Sequence, residues 1–98
     1  MTNYDLSPTP YFKKKYLKLI KDRELKDRIA RIFDYLQINP FLPNLKTHKV
    51  DSKVKNGVFS SKITGGLRII WEFSAEEVNI LDLLDIGGHS GTNKVYKN

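Results

Sequence analysis

The chain contains 98 residues, of which 40% are hydrophobic and 11% aromatic, and its formal net charge is +6. This length predicts one domain, residues 1–98, with a single small core, and the apolar content excludes a disordered chain. The absence of cysteine excludes disulfides, thiolate metal sites and a cysteine nucleophile. No apolar run is long enough to span a membrane and no signal-peptide pattern is present, so the sequence predicts a cytoplasmic protein.

The beginning of the chain predicts a short strand and a first helix. Tyr4 and Leu6 are spaced two apart, as in a strand within residues 1–7. Thr9 followed by Pro10 is typical of a helix start, with threonine as the N-cap and proline at the first helical position. The apolar residues that follow share one helical face: Phe12, Tyr16, Leu19 and Ile20.

A second helix follows, and together the two predict a helical hairpin. Asp22 is its expected N-cap, and Asn39 before Pro40 ends it, because the residue before a proline disfavours helical ψ. Its apolar stripe consists of Leu25, Ile29, Ile32, Phe33 and Leu36. Residues 41–55 have no clear periodicity and are predicted to be a loop.

The second half of the chain predicts three strands. Residues 58–64 and 67–73 alternate with period two and flank Gly65-Gly66, a pair suited to a hairpin turn with positive φ. Residues 78–86 form a mostly apolar strand that Gly87-Gly88 should end, with a short tail beyond. The predicted fold class is α+β in the order β-α-α-β-β-β. The helical hairpin should cover one face of a curved antiparallel sheet and leave the other face partly open.

The positive charge is concentrated in the first half of the chain. Residues 1–50 contain 11 Lys and Arg against 5 acidic residues, whereas residues 51–98 contain 6 of each. The densest stretch, residues 11–21, has five lysines and no acid: Lys13, Lys14, Lys15, Lys18 and Lys21. Such a helix favours contact with a polyanion such as RNA, which would relieve the repulsion between the lysines. A solvated helix face, or contact with an acidic protein, would explain the same pattern.

Three residue types in the second half are suited to phosphodiester chemistry. Arg68 lies mid-strand on the face opposite Trp71, where a guanidinium could bind phosphate or pair with Glu72 or Asp85. His48 and His89 are the two histidines, and each could move a proton in cleavage by a 2′-hydroxyl. Together with Lys62, these residues could supply a base, an acid and cations for the transition state, although exposed histidines often have no function. No spacing of histidines and acids is typical of a metal site.

Three segments resemble one protein family. Residues 45–50 (LKTHKV), 67–73 (LRIIWEF) and 83–89 (LLDIGGH), the last leading to Val95 and Tyr96, are similar to the RelE/ParE superfamily of bacterial type II toxins. The nearest members are YafQ-like and RelE/StbE-type mRNA interferases. The resemblance implies a partner antitoxin and metal-free cleavage of mRNA in the ribosomal A site, with no cofactor. The 2′-hydroxyl attacks the adjacent phosphate, and the helix lysines would contact ribosomal RNA.

The resemblance also implies roles for individual residues. Arg68 stands where these toxins have a phosphate-binding arginine, and His89 where YafQ-like members have a C-terminal catalytic histidine. His48 matches an acid–base or substrate contact, and Tyr96 an aromatic residue that stacks on a base or transfers a proton. YafQ-like members have a histidine and an Asp-Trp pair where this chain has Lys62, Gly66 and Leu67, so lysine would stabilise phosphate charge here. Two alternatives remain, a ParE-like gyrase poison and a non-catalytic relic that acts only by binding a partner.

Overall fold

The computed structural model describes residues 3–89 and 94–97. Two helices lie on one face of a five-stranded sheet, whose strand order is β1-β5-β4-β3-β2. The elements, in chain order, are β1 (Asp5–Pro8), α1 (Pro10–Leu19), α2 (Arg23–Ile38), a 3-10 turn (Pro43–Leu45), β2 (His48–Val50), β3 (Val58–Thr64), β4 (Leu67–Phe73) and β5 (Ile80–Gly88). The predicted α+β class and the β-α-α-β-β-β order are confirmed, with β2 as an added short edge strand.

Both predicted helix starts are confirmed. The Thr9 hydroxyl accepts a hydrogen bond from the Phe12 backbone N–H at 3.2 Å, and Pro10 occupies the first position of α1. The Asp22 carboxylate accepts from the N–H groups of Glu24 and Leu25 at 3.0 and 3.2 Å. These bonds satisfy amide groups that have no partner within the helix, and so fix where each helix begins.

The core lies between the helices and the sheet. Phe12 of α1 and Phe33 of α2 are in aromatic contact, with ring centroids 6.3 Å apart, so the two helices meet through their apolar stripes. Trp71 of β4 is fully buried below them, and its indole N–H donates to the Ser61 hydroxyl at 2.8 Å. Phe59 and Ile63 of β3 face this same core, as their alternation predicts.

The pairing of the sheet differs from the prediction in one respect. β1 pairs with β5 in parallel, with Leu6 opposite Leu81, whereas the other three strand pairs are antiparallel. The sheet is therefore mixed. A parallel pair needs a long crossover between its strands, and here almost the whole chain separates β1 from β5. The periodicity of residues 1–7 indicates a strand but not its partner.

Two turns also differ from the prediction. β5 begins at Ile80, because Val78 is exposed and Asn79 adopts a left-handed φ of 66° that makes a turn. β5 also continues through Gly87 and Gly88, which pair with Arg68 and Leu67 of β4 rather than ending the strand.

The hairpin at Gly65-Gly66 is confirmed, but neither glycine has a φ in the left-handed range. None of the helices in the described ranges is long and apolar enough to cross a membrane.

Candidate functional site

The candidate residues lie on the sheet face turned away from the helices, which we call the outer face. Strand alternation places Ile69 and Trp71 in the core beneath the helices, and Arg68 and Ile70 on the outer face. Ile70 is buried there in a second, smaller cluster with Val58 and Val95. Arg68 therefore lies on the face that the sequence predicts for it.

The Arg68 guanidinium is held at the hairpin turn by backbone carbonyls. Its Nη1 donates to the carbonyls of Thr64, Gly65 and Leu67, at 2.5, 3.2 and 3.1 Å. All three bonds use one nitrogen, so Nε and Nη2 have no hydrogen-bond partner within residues 3–89 and 94–97. The turn thus fixes the side chain while leaving two donor nitrogens for a phosphate.

Neither ion pair considered for Arg68 forms. Glu72 binds Lys55, with 2.9 Å between Nζ and Oε1, and Asp85 binds Lys15 of α1, with 2.6 Å between Nζ and Oδ1. Both carboxylates are therefore engaged by lysines, and the positive charge of Arg68 is not neutralised by either of them.

Lys62 stands directly opposite Arg68 in the β3–β4 register. Side chains that are directly opposite in an antiparallel pair lie about 5 Å apart at Cβ, and like charges in this arrangement are destabilising. A bound anion would remove that repulsion. The pair therefore places two positive charges side by side on the outer face, where a phosphate could be bound.

His48 lies at the edge of the outer face, in β2, where it is exposed and pairs with Ser60 of β3. Its Nδ1 is 2.9 Å from the backbone carbonyl of Lys46. A carbonyl can only accept a hydrogen bond, so Nδ1 carries the proton and, in the neutral ring, Nε2 has a free lone pair. This tautomer is the one that a general base needs.

His89 and Tyr96 are brought together by the end of the chain. Their rings meet edge to face, with centroids 5.1 Å apart, and the His89 backbone N–H donates to the Gly66 carbonyl at 3.1 Å. The predicted tail is not free where the structure describes it, because the Val95 N–H binds the Gly88 carbonyl and Tyr96 bridges to Ser52. Residues 90–93 and 98 of that tail lie outside the described ranges. The rest of the segment covers part of the face that was expected to stay open.

The structure thus brings all five predicted site residues onto one face of the sheet. It also adds a residue that the sequence analysis did not single out, since the Ser60 hydroxyl lies 2.7 Å from the Tyr96 hydroxyl. The sequence signal was a pair of serines, Ser60-Ser61, next to the apolar residues Val58 and Phe59 of the same predicted strand.

The five lysines of residues 11–21, four in α1 and Lys21 in the turn after it, fall into two groups. Four are exposed and available to a partner: Lys13, Lys14, Lys18 and Lys21. Lys15 differs, because its side chain is 23% exposed and is engaged by Asp85, which is 1% exposed. Lys15 therefore has a structural contact that the helical periodicity alone did not indicate.

The opposite end of the outer face is acidic. Burial raises the pKa of Asp82, and the nearby carboxylates of Glu72 and Glu76 raise it further, while Lys55 lowers it. Glu72 and Asp82 are directly opposite in the β4–β5 register. The outer face is thus polarised, with cations near the hairpin turn and carboxylates at the far end of the strands.

Within the described ranges, no group of three histidines or acids is arranged to hold a metal ion.

Comparison with known proteins identifies the fold. No family model matches the sequence, and no curated protein matches it. A YoeB/ParE toxin from Agrobacterium tumefaciens superposes with a TM-score of 0.70 at 18% identity, covering 88% of this chain and 99% of the toxin. A chain of the E. coli DinJ–YafQ toxin–antitoxin complex superposes with a TM-score of 0.68 at 16% identity, covering 89% of this chain and 93% of the other. A chain of the Staphylococcus aureus YoeB–YefM complex superposes with a TM-score of 0.68 at 15% identity, covering 89% of this chain and 98% of the other. The chain therefore has the fold of the YoeB and YafQ toxins, which confirms the fold that its three sequence segments implied.

Proposed function

We propose that this chain is the toxin of a type II toxin–antitoxin system and that it cuts mRNA on the ribosome. The observation that carries this proposal is the cross-strand pair of two cations, Lys62 and Arg68, on the outer face. His48, His89 and Tyr96 lie on the same face, where Tyr96 contacts both Ser60 and the His89 ring. The toxin fold supports the same function, as do the three sequence segments.

In the proposed reaction, these residues act as base, acid and stabilisers of negative charge. His48 Nε2 takes the proton of a 2′-hydroxyl, whose oxygen attacks the adjacent phosphorus. Arg68, through Nε and Nη2, and Lys62 stabilise the negative charge that develops on the phosphoryl oxygens. The bond from phosphorus to the 5′-oxygen breaks, and protonated His89 donates its proton to that oxygen. The products are a 2′,3′-cyclic phosphate and a free 5′-hydroxyl, so atoms and protons balance.

The helix lysines supply a separate docking surface. Lys13, Lys14 and Lys18 are exposed on α1 and Lys21 in the turn that follows it, away from the outer face, and they would neutralise phosphates of ribosomal RNA. In this proposal the basic lysines provide affinity for ribosomal RNA, and the residues of the sheet carry out the cleavage.

A cognate antitoxin is the second proposed partner. The YafQ and YoeB neighbours are described in complexes with DinJ and YefM. An exposed basic helix is readily covered by an acidic segment of such a partner. Coexpression with the neighbouring reading frame should relieve the toxicity of this chain and yield a copurifying complex.

Expression of the chain, followed by mapping of RNA ends, tests the proposal. Wild type should arrest growth and produce cuts within translated messages, with cyclic phosphate at the new 3′ ends. Arg68→Lys keeps the charge but loses the planar donor fork, and Arg68→Ala loses both. We expect cleavage to be lower in Arg68→Lys than in the wild type, and lowest in Arg68→Ala. Circular dichroism should show that both variants keep the fold.

Three results would overturn the proposal. Full cleavage by Arg68→Ala would remove the proposed site. Intact messages, combined with loss of supercoiling by gyrase, would instead identify a gyrase poison on this fold. A chain with no effect on growth would be a relic that only binds a partner.

A further inference from the structure

Ser60 is a fully buried polar residue in an apolar part of the outer face. Its exposed fraction is 0%, and Val58, Ile70 and Val95 form the apolar cluster on the same side of the sheet. A buried hydroxyl without a partner costs free energy, so a serine is tolerated here only because it is hydrogen-bonded. Its partner is the Tyr96 hydroxyl, at 2.7 Å, from a residue 36 positions later in the chain.

Ser60 also lies at the centre of the candidate site. It pairs directly with His48 of β2, and Lys62 follows two residues later on the same face of β3. The tyrosine that it binds contacts the His89 ring edge to face, at 5.1 Å between centroids. One buried hydroxyl therefore connects the middle of the sheet to the aromatic and histidine side chains at the end of the chain.

The anchoring of Tyr96 has a backbone part and a side-chain part. The backbone part is the bridge to Ser52, with the Lys53 N–H donating to the Val95 carbonyl at 2.9 Å. These contacts fix where the segment runs, but not where the phenol points. The hydrogen bond to Ser60 fixes the phenol, because it joins the far end of the ring to a rigid strand.

We propose that Ser60 is a positioning residue, which fixes the Tyr96 phenol and, through the contact between the two rings, restricts the His89 imidazole. This inference rests on the proposed function, in which His89 donates a proton to the leaving oxygen. A proton donor that is held in place reacts without first searching for its geometry, so fixing the ring raises the rate of the chemical step.

The neighbouring serine provides a matched control. Ser61 is equally buried, but its hydroxyl lies on the core side, where it accepts from the Trp71 indole N–H and lies 2.7 Å from the Thr47 hydroxyl. Ser60→Ala and Ser61→Ala thus remove the same group from adjacent positions of one strand, on opposite faces. Both variants should lose stability, whereas the rings of Tyr96 and His89 should respond only to Ser60→Ala.

A first test does not depend on activity. The chain has 2 histidines and 5 tyrosines, so NMR signals of the His89 and Tyr96 rings can be assigned with His48→Gln and Tyr96→Phe. We expect Ser60→Ala to shift both sets of ring signals and Ser61→Ala to leave them in place. Unchanged His89 and Tyr96 signals in Ser60→Ala would overturn the proposal.

A second test uses a double-mutant cycle on ribosomal mRNA cleavage. Loss of one hydrogen bond should lower kcat of Ser60→Ala by about three- to ten-fold, with KM nearly unchanged. In a Tyr96→Phe background, where the bond is already absent, Ser60→Ala should lower kcat no further. An undiminished effect in that background, or full activity of Tyr96→Phe, would overturn the positioning role while leaving the proposed cleavage intact. Absence of cleavage by the wild type would overturn the proposed function itself.

Discussion

Lys15 of α1 reaches across to Asp85 of β5, with 2.6 Å between Nζ and Oδ1, and so joins the basic helix to the sheet. Asp85 is 1% exposed, and the same oxygen accepts from the Ile86 backbone N–H at 2.8 Å. The pair sets the position of α1 on the strand that leads to Gly88 and His89. It therefore relates the proposed RNA-docking helix to the proposed cleavage site.

Lys15→Met should destabilise the fold much more than a change at a neighbouring lysine. It keeps an apolar stem but leaves a buried carboxylate unpaired, at a cost of about 3 kcal/mol in the free energy of unfolding. Lys14→Met, on the exposed side of the same helix, should change that free energy by less than about 0.5 kcal/mol. Urea unfolding measures both values.

The double variant Lys15→Met with Asp85→Asn provides the control for this prediction. A neutral amide costs less to bury than an unpaired carboxylate, so adding Asp85→Asn should recover part of the lost stability. Equal stability of Lys15→Met and Lys14→Met would show that the ion pair has no structural role.

The exposed lysines of α1 should determine how ribosome binding depends on salt. Each phosphate contact contributes about 0.7–0.9 to the slope of log K against log salt concentration. Lys14→Gln combined with Lys18→Gln should therefore lower that slope by about 1.5, if each lysine makes one contact. Binding titrations across a salt series measure the slope.

Lys53→Gln combined with Lys97→Gln makes the same change of charge at exposed positions near the other edge of the sheet. This pair should leave the slope nearly unchanged. An equal fall in both double variants would mean that net charge, rather than the helix surface, governs binding.

Asp82→Asn should stabilise the protein at neutral pH but not at acid pH. Because the pKa of Asp82 is raised in the folded state, its charged form is disfavoured by folding, and stability falls as pH rises through that pKa. Removing the charge opposite Glu72 should raise the free energy of unfolding by about 0.2–1 kcal/mol at pH 7. The gain should shrink as the pH falls below the ordinary aspartate pKa of about 4 and disappear once the carboxyl is protonated in both states. Thermal unfolding across this pH range measures the difference, and a gain that persists at acid pH would exclude the charge as its cause.

Gly57→Ala should be costly, whereas Gly65→Ala should not. Gly57 has a φ of +68°, a left-handed conformation in which a Cβ costs about 1–2 kcal/mol. Gly65 has no such φ, and a Cβ there meets nothing within 4 Å. Chemical unfolding of the two variants gives the comparison, and equal stabilities would contradict the backbone argument.

The sequence by itself determined the features that depend on near neighbours. The helix starts follow from Thr9 and Asp22, whose side chains bind amides two or three residues away. The outer-face position of Arg68 follows from strand alternation, since a period of two depends only on the backbone. The helix starts and the face on which Arg68 lies could therefore be predicted.

Only the tertiary structure decided which distant groups meet. The parallel pairing of β1 with β5, the ion pair of Lys15 with Asp85 and the hydrogen bond of Ser60 with Tyr96 join residues far apart in the chain. No local pattern encodes such partners, because periodicity gives the face of a residue but not its neighbour across the fold. For the same reason the five lysines of residues 11–21 were predicted to form one surface, although Asp85 of β5 binds Lys15 and the other four remain exposed.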